Sequence, residues 1–193
     1  MGIREEIGAG RIVTPFAPSA DWWRRYLRLR MEGLESPEAA AGASAAAGTK
    51  GKDYARSQIA GGVRIGVPVE GGASVLKRGS NPRLSEHGKW RREHLGAWQA
   101  AYGRTPYYEH LMPLLERIYA ESEREELTLE EFNRRLLRLA ESWIAGDGAI
   151  ASIENERERL QERISETVRK VNGENSIFDA IFRLGKETVF GVI

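Results

Sequence analysis

Apolar residues recur at helical spacing along the second half of the chain. The pattern predicts a helix over residues 89–102, and Gly103 follows its last turn, where glycine commonly ends a helix. Pro106 lies near the start of a second predicted helix, which runs to about Glu123.

A third helix of this half begins at a capping box. Thr128 and Glu131 have the spacing at which a helix N-cap and the residue three positions later satisfy each other's backbone N–H groups. The helix is predicted to run through Trp143, and glycines at 146 and 148 close it. Its buried face is formed by Phe132, Leu136, Leu139 and Trp143.

The amino-terminal part predicts one helix and one loop. A helix fits residues 21–33, with Ser19 as its N-cap. Residues 35–50 are rich in alanine, are interrupted by Gly42 and Gly48, and contain almost no large side chain. Such a segment fits either a loose helix or a mobile loop. Because it has little apolar surface to bury against the entropic cost of ordering, we favour a poorly ordered loop.

The middle of the chain carries a strand pattern. Strict alternation places four apolar side chains on one face, at Val63, Ile65, Val67 and Val69. Residues 54–59 are a candidate partner strand, Pro68 is expected at a sheet edge or bulge, and a further strand is predicted at 83–86. We therefore predict an α+β fold, in which a small antiparallel or mixed sheet over about residues 54–86 is packed by helices over 89–143.

A long polar helix is predicted over residues 150–172. Charged residues surround a narrow apolar stripe, which consists of Ile153, Leu160, Ile164, Val168 and Val171. A stripe this narrow is typical of a two-helix seam. We place a domain boundary near residues 146–148, so that residues 1–148 form the main domain and residues 149–193 form a helical appendage.

The net charge bears on whether the chain binds nucleic acid. Lysine and arginine number 29 and aspartate and glutamate number 28, so the formal net charge of the 193 residues is +1. Proteins that bind duplexes neutralise many phosphates with a basic surface, and this chain has no such excess. We therefore expect no nucleic-acid partner.

The composition also bears on cofactors and on location. The chain has no cysteine, which excludes disulfides and thiolate catalysis and fits a reducing compartment. Three scattered histidines are too few for a metal site and no cofactor motif is recognisable, so we expect neither a metal nor a cofactor. The amino terminus lacks the apolar core of a secretory signal, and no stretch reaches the roughly 18 apolar residues of a membrane span. We predict a cytoplasmic protein without a membrane span.

Aromatic and basic residues form a motif at the start of the 89–102 helix. Trp90 is followed one turn later by His94, and then by Tyr102 and the sequence Pro106-Tyr107-Tyr108. Upstream, a second group of residues leads into and out of the predicted strand: Lys50 or Lys52, Arg56, Ile59, Val67-Pro68-Val69 and Gly71-Gly72. In these residues and their spacing, the segment over about 50–119 resembles the WbqC-like protein family of bacterial O-antigen and surface-polysaccharide gene clusters.

The chain departs from the family pattern at three places. Ala55 stands where the family usually has asparagine, and Leu95 stands where it has an aromatic residue. The amino-terminal part is shortened or replaced by the alanine-rich stretch, which could remove one wall of a pocket. The arm beyond residue 146 has no counterpart in the resemblance.

The resemblance implies a role in O-antigen or related polysaccharide biosynthesis. It suggests an enzyme that transfers glycine or an acyl group to an amino sugar or a nucleotide-linked sugar, from an activated donor of unknown identity. The alternative is a non-catalytic protein that binds a sugar nucleotide, or a scaffold that recruits a partner through its carboxy-terminal helix.

Three residues are candidates for catalysis. His94 lies between two tryptophans of one helix face, where its charged form would be disfavoured, so it could act as a base at neutral pH. The alternative is a partly buried structural histidine. His87, in the preceding loop, is a candidate second acid or base with Glu86 orienting its ring, or else an exposed helix-entry residue. Tyr102 is the third candidate, as a residue that shapes the pocket or stacks on a sugar, with a core position as the alternative.

Substrate binding is assigned to Lys52, Arg56, Trp90 and Tyr107. The basic residues flanking the predicted sheet suit the diphosphate of a nucleotide-sugar, although solvated surface positions are the alternative: Lys50, Lys52, Arg56, Lys77 and Arg78. We expect Arg56, Trp90 and His94 to converge on one concave site.

The 150–172 helix predicts a homodimer. An isolated helix of this kind would leave its apolar stripe in water, and its polar surroundings argue against deep burial, so we expect residues 150–171 to pair with a second copy. Light scattering on the full chain and on a chain ending at Gly146 measures this directly. The full chain is expected to be the heavier assembly, and two monomers at high concentration would contradict the prediction.

Overall fold

The structure is a computed structural model that describes residues 11–145, 176–179 and 181–183. Its helices and strands, in chain order, are α1 (Ala20–Met31), α2 (Ser36–Ala46), β1 (Arg56–Ile59), β2 (Val63–Gly66), α3 (Gly72–Lys77), α4 (Trp90–Tyr102), α5 (Tyr108–Arg124) and α6 (Leu129–Ala145). Short 3₁₀ turns at Gly51–Tyr54 and Ala60–Gly62 flank the first strand. The α+β prediction is confirmed, with a sheet of two strands in the described part of the chain. No helix of that part is both long enough and apolar enough to cross a membrane.

Helix α1 begins where the sequence predicts. The Ser19 hydroxyl accepts a hydrogen bond from the Trp22 backbone N–H at 3.3 Å, which confirms Ser19 as the N-cap. The helix buries one aromatic-rich face, which contains Trp22, Trp23, Tyr26 and Leu27. These side chains form the amino-terminal part of the core.

The loop predicted over residues 35–50 is wrong for most of its length, because Ser36–Ala46 form helix α2. Ala39, Ala40 and Ala43 are completely buried, and the helix packs along α1. Small side chains allow two helix backbones to approach closely, so a helix can be buried without contributing large groups. A Cβ added at Gly42 would lie only 2.8 Å from Leu29 Cδ1 of α1, which shows how close this approach is.

A hydrogen-bonded chain ties α2 to its surroundings. The Trp22 indole N–H donates to the Ser44 hydroxyl at 2.9 Å, and that hydroxyl donates to the Val13 carbonyl at 2.6 Å. Both groups are buried, so these bonds satisfy polar atoms that would otherwise be costly inside the core. No local sequence pattern indicates this means of docking, because it pairs residues from three separate segments.

The two strands form the predicted hairpin. β1 and β2 pair antiparallel in a register that sets Arg56 opposite Gly66 and Ile59 opposite Val63. Gly61, in the turn, has a φ of 75°, a left-handed conformation that glycine adopts without strain. The strand predicted at 83–86 is present only as isolated β-bridges, one from Arg83 and one from Leu84, since the chain there pairs with two different segments.

The three later helices are confirmed close to their predicted bounds. At the start of α6, the Thr128 N–H donates to the Glu131 carboxylate at 2.8 Å, and the Glu131 N–H donates to the Thr128 hydroxyl at 3.3 Å. This is the reciprocal capping that the sequence predicted.

A buried carboxylate joins the amino-terminal segment to α6. Glu130 accepts hydrogen bonds from the backbone N–H groups of Val13 and Thr14, both at 2.9 Å, and from the Thr14 hydroxyl at 2.8 Å. Burial raises the pKa of this carboxyl, and the three donors oppose that shift. On the next turn, the Asn133 amide donates to the carbonyls of Thr14 and Tyr54, both at 2.8 Å.

Part of the predicted appendage lies in the core. Ile177, Phe178, Ile181 and Phe182 are at most 1% exposed, and the Phe182 ring stacks on Tyr102 at 4.3 Å between centroids. The boundary near 146–148 and the 150–172 helix fall outside the described residues, so both stay predictions, as does the dimer. A chain ending at Gly146 would also lose these core residues. Lysine substitutions at Leu160 and Ile164 therefore test the dimer more cleanly.

The close approach of α1 and α2 predicts a sharp contrast between two alanines of one helix. We expect Ala43→Leu to lower the free energy of unfolding by about 1–3 kcal/mol, because the added groups have no space in a closely packed interface. Ala46→Leu, at an exposed position of α2, is the matched control and should change it by less than about 0.5 kcal/mol. Urea denaturation measures both, and equal effects would show that α2 is not docked.

Candidate functional site

His94 lies where α4 meets the end of the hairpin. Its Nε2 is 3.1 Å from the Gly66 carbonyl oxygen and its Nδ1 is 3.0 Å from the Tyr119 hydroxyl. Because a carbonyl can only accept, Nε2 carries the proton and Nδ1 accepts the Tyr119 proton. The Tyr119 oxygen in turn accepts from the Trp98 indole N–H at 3.0 Å. Each group in this chain has a partner.

These contacts determine the protonation state of the His94 imidazole and the availability of its nitrogens. His94 is 5% exposed, and its burial lowers its pKa from 6.5 to about 4, with the Gly66 hydrogen bond opposing the shift. The ring is therefore neutral at neutral pH, as expected for a base. However, both nitrogens are engaged, so the expectation that His94 is accessible to a substrate is not met in this conformation.

Tyr102 and Trp90 are also held inside the fold. The Tyr102 hydroxyl donates to the Asp179 carboxylate and accepts from the Ala60 N–H at 3.3 Å, and burial raises its pKa. The Trp90 indole N–H donates to the Ser85 carbonyl at 2.9 Å. Both side chains are nearly or completely buried, so they hold the hairpin turn, the 176–183 segment and the loop before α4 in place.

His87 and Tyr107 have different surroundings. His87 is exposed in the loop before α4. The two Glu86 oxygens are bound by the Arg91 guanidinium at 2.7 and 3.1 Å, so the expectation that Glu86 orients the His87 ring is wrong. Tyr107 is half-buried, with its ring centroid 6.3 Å from that of Trp143.

Arg56 reaches the same residue as His94 from the solvent side. It lies opposite Gly66 in the hairpin, and a Cβ at Gly66 would be 3.3 Å from Arg56 Cγ and 3.9 Å from its Nε. The Arg56 side chain therefore lies across the glycine whose carbonyl His94 holds. Trp90 packs against His94, with 5.2 Å between ring centroids. The three residues thus meet at Gly66, with Arg56 on its exposed side and the other two on its buried side, and their convergence on one concave site stays a prediction.

The five basic residues flanking the hairpin are all exposed. They are Lys50, Lys52, Arg56, Lys77 and Arg78. Within the part of the chain that the structure describes, none of them forms an ion pair with a carboxylate. This distinguishes them from several other arginines of the fold, such as Arg91 and Arg135, which bind glutamates.

A concavity with a volume of about 550 Å³, which we call the basic groove, lies between the amino-terminal segment and α3. Its lining includes the side chains of Arg11, Thr49, Lys50, Tyr54, Lys77 and Arg78. Four lining residues are cationic and none is acidic. Arg11 was not predicted from the sequence, because its β-bridge to Ser80 joins residues far apart in the chain and no local pattern indicates it.

A second, smaller concavity of about 390 Å³ lies between α4 and α5. Its charged lining is mixed, since Lys89, Arg91 and Arg92 are balanced by Glu86, Glu116 and Glu123. Balanced charge gives little preference for an anion. The basic groove is therefore the better candidate for a negatively charged ligand.

The buried imidazole predicts a pH dependence of stability. Unfolded His94 takes up a proton near pH 6.5, whereas the folded ring resists protonation until about pH 4, so stability is lost as the pH falls between these values. Between pH 7 and pH 4.5 the loss should be about 2–3 kcal/mol. Urea denaturation of the natural chain and of His94→Gln isolates this contribution as the difference between them. Parallel pH profiles would contradict it.

Comparison with known proteins places this arrangement in a family. A family model described as the WbqC-like protein family matches residues 52–180, which is more than half of the chain. The match includes the hairpin, α4 with its buried aromatic face, and Asp179, which accepts the Tyr102 hydrogen bond. It extends well beyond residue 119, so the expectation that the arm beyond residue 146 has no counterpart in the family is wrong. Neither the curated proteins nor the solved structures gave a match. On the strength of the family match, the chain belongs to the WbqC-like protein family.

Proposed function

We propose that this protein acts in bacterial surface-polysaccharide biosynthesis, in the cytoplasm, by binding an amino sugar or a nucleotide-linked sugar. The resemblance suggests the process, and one observation carries the binding proposal. Five exposed cations border the hairpin and the adjoining turn without a carboxylate partner in the described part of the chain.

The position of these cations suits a phosphorylated sugar. The chain as a whole is nearly neutral, so five cations without paired carboxylates create a local positive potential that a small anion would feel. Arg56 can bind two oxygens of one phosphate at once, and Lys52, in the preceding turn, acts as a point charge. The Arg56 side chain lies across Gly66, which has no side chain of its own to displace it, and it is exposed to a ligand from the solvent side.

The contacts of the candidate catalytic residues favour binding over chemistry. The nitrogens of His94 and the hydroxyl of Tyr102 are all engaged inside the fold. Among the candidate acids and bases, His87 is the exposed one. We therefore propose a sugar-nucleotide-binding protein as the function that the geometry supports best. Transfer of glycine or an acyl group remains the second candidate, with His87 as its acid or base.

A ligand screen by thermal shift tests the binding proposal. A nucleotide-sugar at a hundred times its dissociation constant should add about 2.7 kcal/mol of stability and raise Tm by roughly 5–10 °C. Arg56→Ala should reduce that shift, because it removes the side chain that is able to bind two oxygens. Arg104→Ala removes an equal charge from an exposed position outside the basic set and should leave the shift unchanged.

Arg56→Ala and a further variant, Lys52→Ala, test whether the ligand binds at the proposed residues. A shift that survives Arg56→Ala and Lys52→Ala would remove both residues from the binding site. If neither amino sugars nor nucleotide-sugars stabilise the natural chain, the binding proposal itself fails.

A further inference from the structure

We infer that the basic groove holds the phosphate groups of a diphosphate ester, between the amino-terminal segment and the carboxyl end of α3. The sugar attached to that diphosphate rests on the proposed function, whereas the phosphate site rests on the groove alone. Only part of the groove lies within the family match, because Arg11, Thr49 and Lys50 precede residue 52, where the match begins.

The groove has two cationic walls. Arg11 and Lys50 belong to one wall, and Lys77 and Arg78 belong to the other. Arg11 pairs with Ser80 in an antiparallel bridge, which joins the two walls at one place. Gly51 brings them together at another, since a Cβ added there would lie 3.8 Å from Lys77 Cγ. A ligand in the groove would therefore meet cations on two sides.

Side chains of α6 fix the backbone of the wall that contains Arg11 and Lys50. Glu130 holds the backbone of Val13 and Thr14, directly after Arg11 and Ile12. Asn133 holds the Tyr54 carbonyl, and the Phe16 N–H donates to the same oxygen at 3.0 Å. Because α6 fixes this wall before a ligand arrives, little conformational entropy is lost on binding.

The charges in the groove match a diphosphate. Lys50, Lys77 and Arg78 have no ion-pair partner among the described residues, and the groove lining adds no carboxylate. Phosphate oxygens are acceptors only, which suits lysine and arginine, and the hydroxyl of Thr49 can add a neutral donor. A single phosphate would leave much of this positive charge uncompensated.

The volume of the groove indicates that the ligand is larger than its phosphates. A concavity of about 550 Å³ falls within the range of roughly 300–1,000 Å³ typical of sites for small organic ligands. Tyr54 is half-buried at its edge, so its ring is accessible to a sugar or a base. Burial raises the pKa of the Tyr54 hydroxyl, which donates to the Thr49 carbonyl at 3.5 Å and so holds the ring at the edge of the groove.

Calorimetric titration with inorganic pyrophosphate and with a nucleoside diphosphate tests the site. We expect the natural chain to bind both and the double variant Lys77→Ala/Arg78→Ala to bind at least about tenfold more weakly, since it loses two charge-assisted contacts to phosphate oxygens. The double variant Arg104→Ala/Arg124→Ala removes the same charge from exposed positions outside the groove and should bind normally. Equal affinity of the natural chain and the Lys77/Arg78 variant would overturn the inference.

A second pair of variants tests the two-walled geometry. Arg11→Ala should weaken pyrophosphate binding, because it removes a cation of the amino-terminal wall. Gly51→Val should also weaken it, by placing a branched side chain beside Lys77. Gly51 also has a φ of 54°, so circular dichroism of each variant is needed to show that the fold is retained. A folded Arg11→Ala variant with unchanged affinity would exclude the amino-terminal wall and overturn the site as described.

The same chemistry could come from a soluble nucleotide-sugar or from a lipid-linked diphosphate. Titration with the nucleoside diphosphate tests the first source, and co-sedimentation with vesicles that contain a lipid diphosphate tests the second. Loss of binding in the Lys77/Arg78 variant in either arm supports the groove. Absence of binding in both arms overturns it.

The outcome separates this inference from the proposed function. If Arg56→Ala abolishes nucleotide-sugar binding while Lys77→Ala/Arg78→Ala does not, the groove is wrong and the proposed function stands. If pyrophosphate binds in the groove but a sugar adds no affinity, the phosphate site stands and the sugar proposal fails.

Discussion

The buried contact between His94 and Gly66 determines how the hairpin is joined to the helices. The contact is the last of a series of hydrogen bonds. The series runs from the Trp98 indole through the Tyr119 hydroxyl to the imidazole and ends on the Gly66 carbonyl. Inside a core of low dielectric, each member would be costly without its partner, so the set acts as a unit. Arg56 lies across the same glycine on the outside, and its position therefore depends on a histidine that solvent does not reach.

A second buried polar cluster has the same role for the basic groove. Glu130 is a carboxylate in the core whose partners are mostly backbone N–H groups, and Asn133 completes the attachment one turn later. Through these two side chains, α6 holds the backbone of Val13 and Thr14, next to Arg11, and the turn that ends at Tyr54. The polar residues inside this fold thus hold the positions of exposed basic residues, and these are the groups that can meet an anion.

The helices and the hairpin could be predicted because their signals are local. The Thr128–Glu131 capping box and the Ser19 cap each involve residues within one turn, and the structure confirms both. The alanine-rich helix α2 could not be predicted in the same way. Its stability depends on how closely α1 approaches Gly42, and that distance is a property of two segments together.

The candidate site, likewise, could be predicted from the sequence only in part. From the sequence alone, a neutral His94 near two tryptophans could be expected and the basic residues around the hairpin could be named, because both follow from spacing and residue type. Only the tertiary structure decided that both imidazole nitrogens are occupied and that Arg11 joins Lys77 and Arg78 across a groove. Hydrogen-bond partners and facing walls come from residues far apart in the chain, and the packing of the core, rather than any local preference, brings them together.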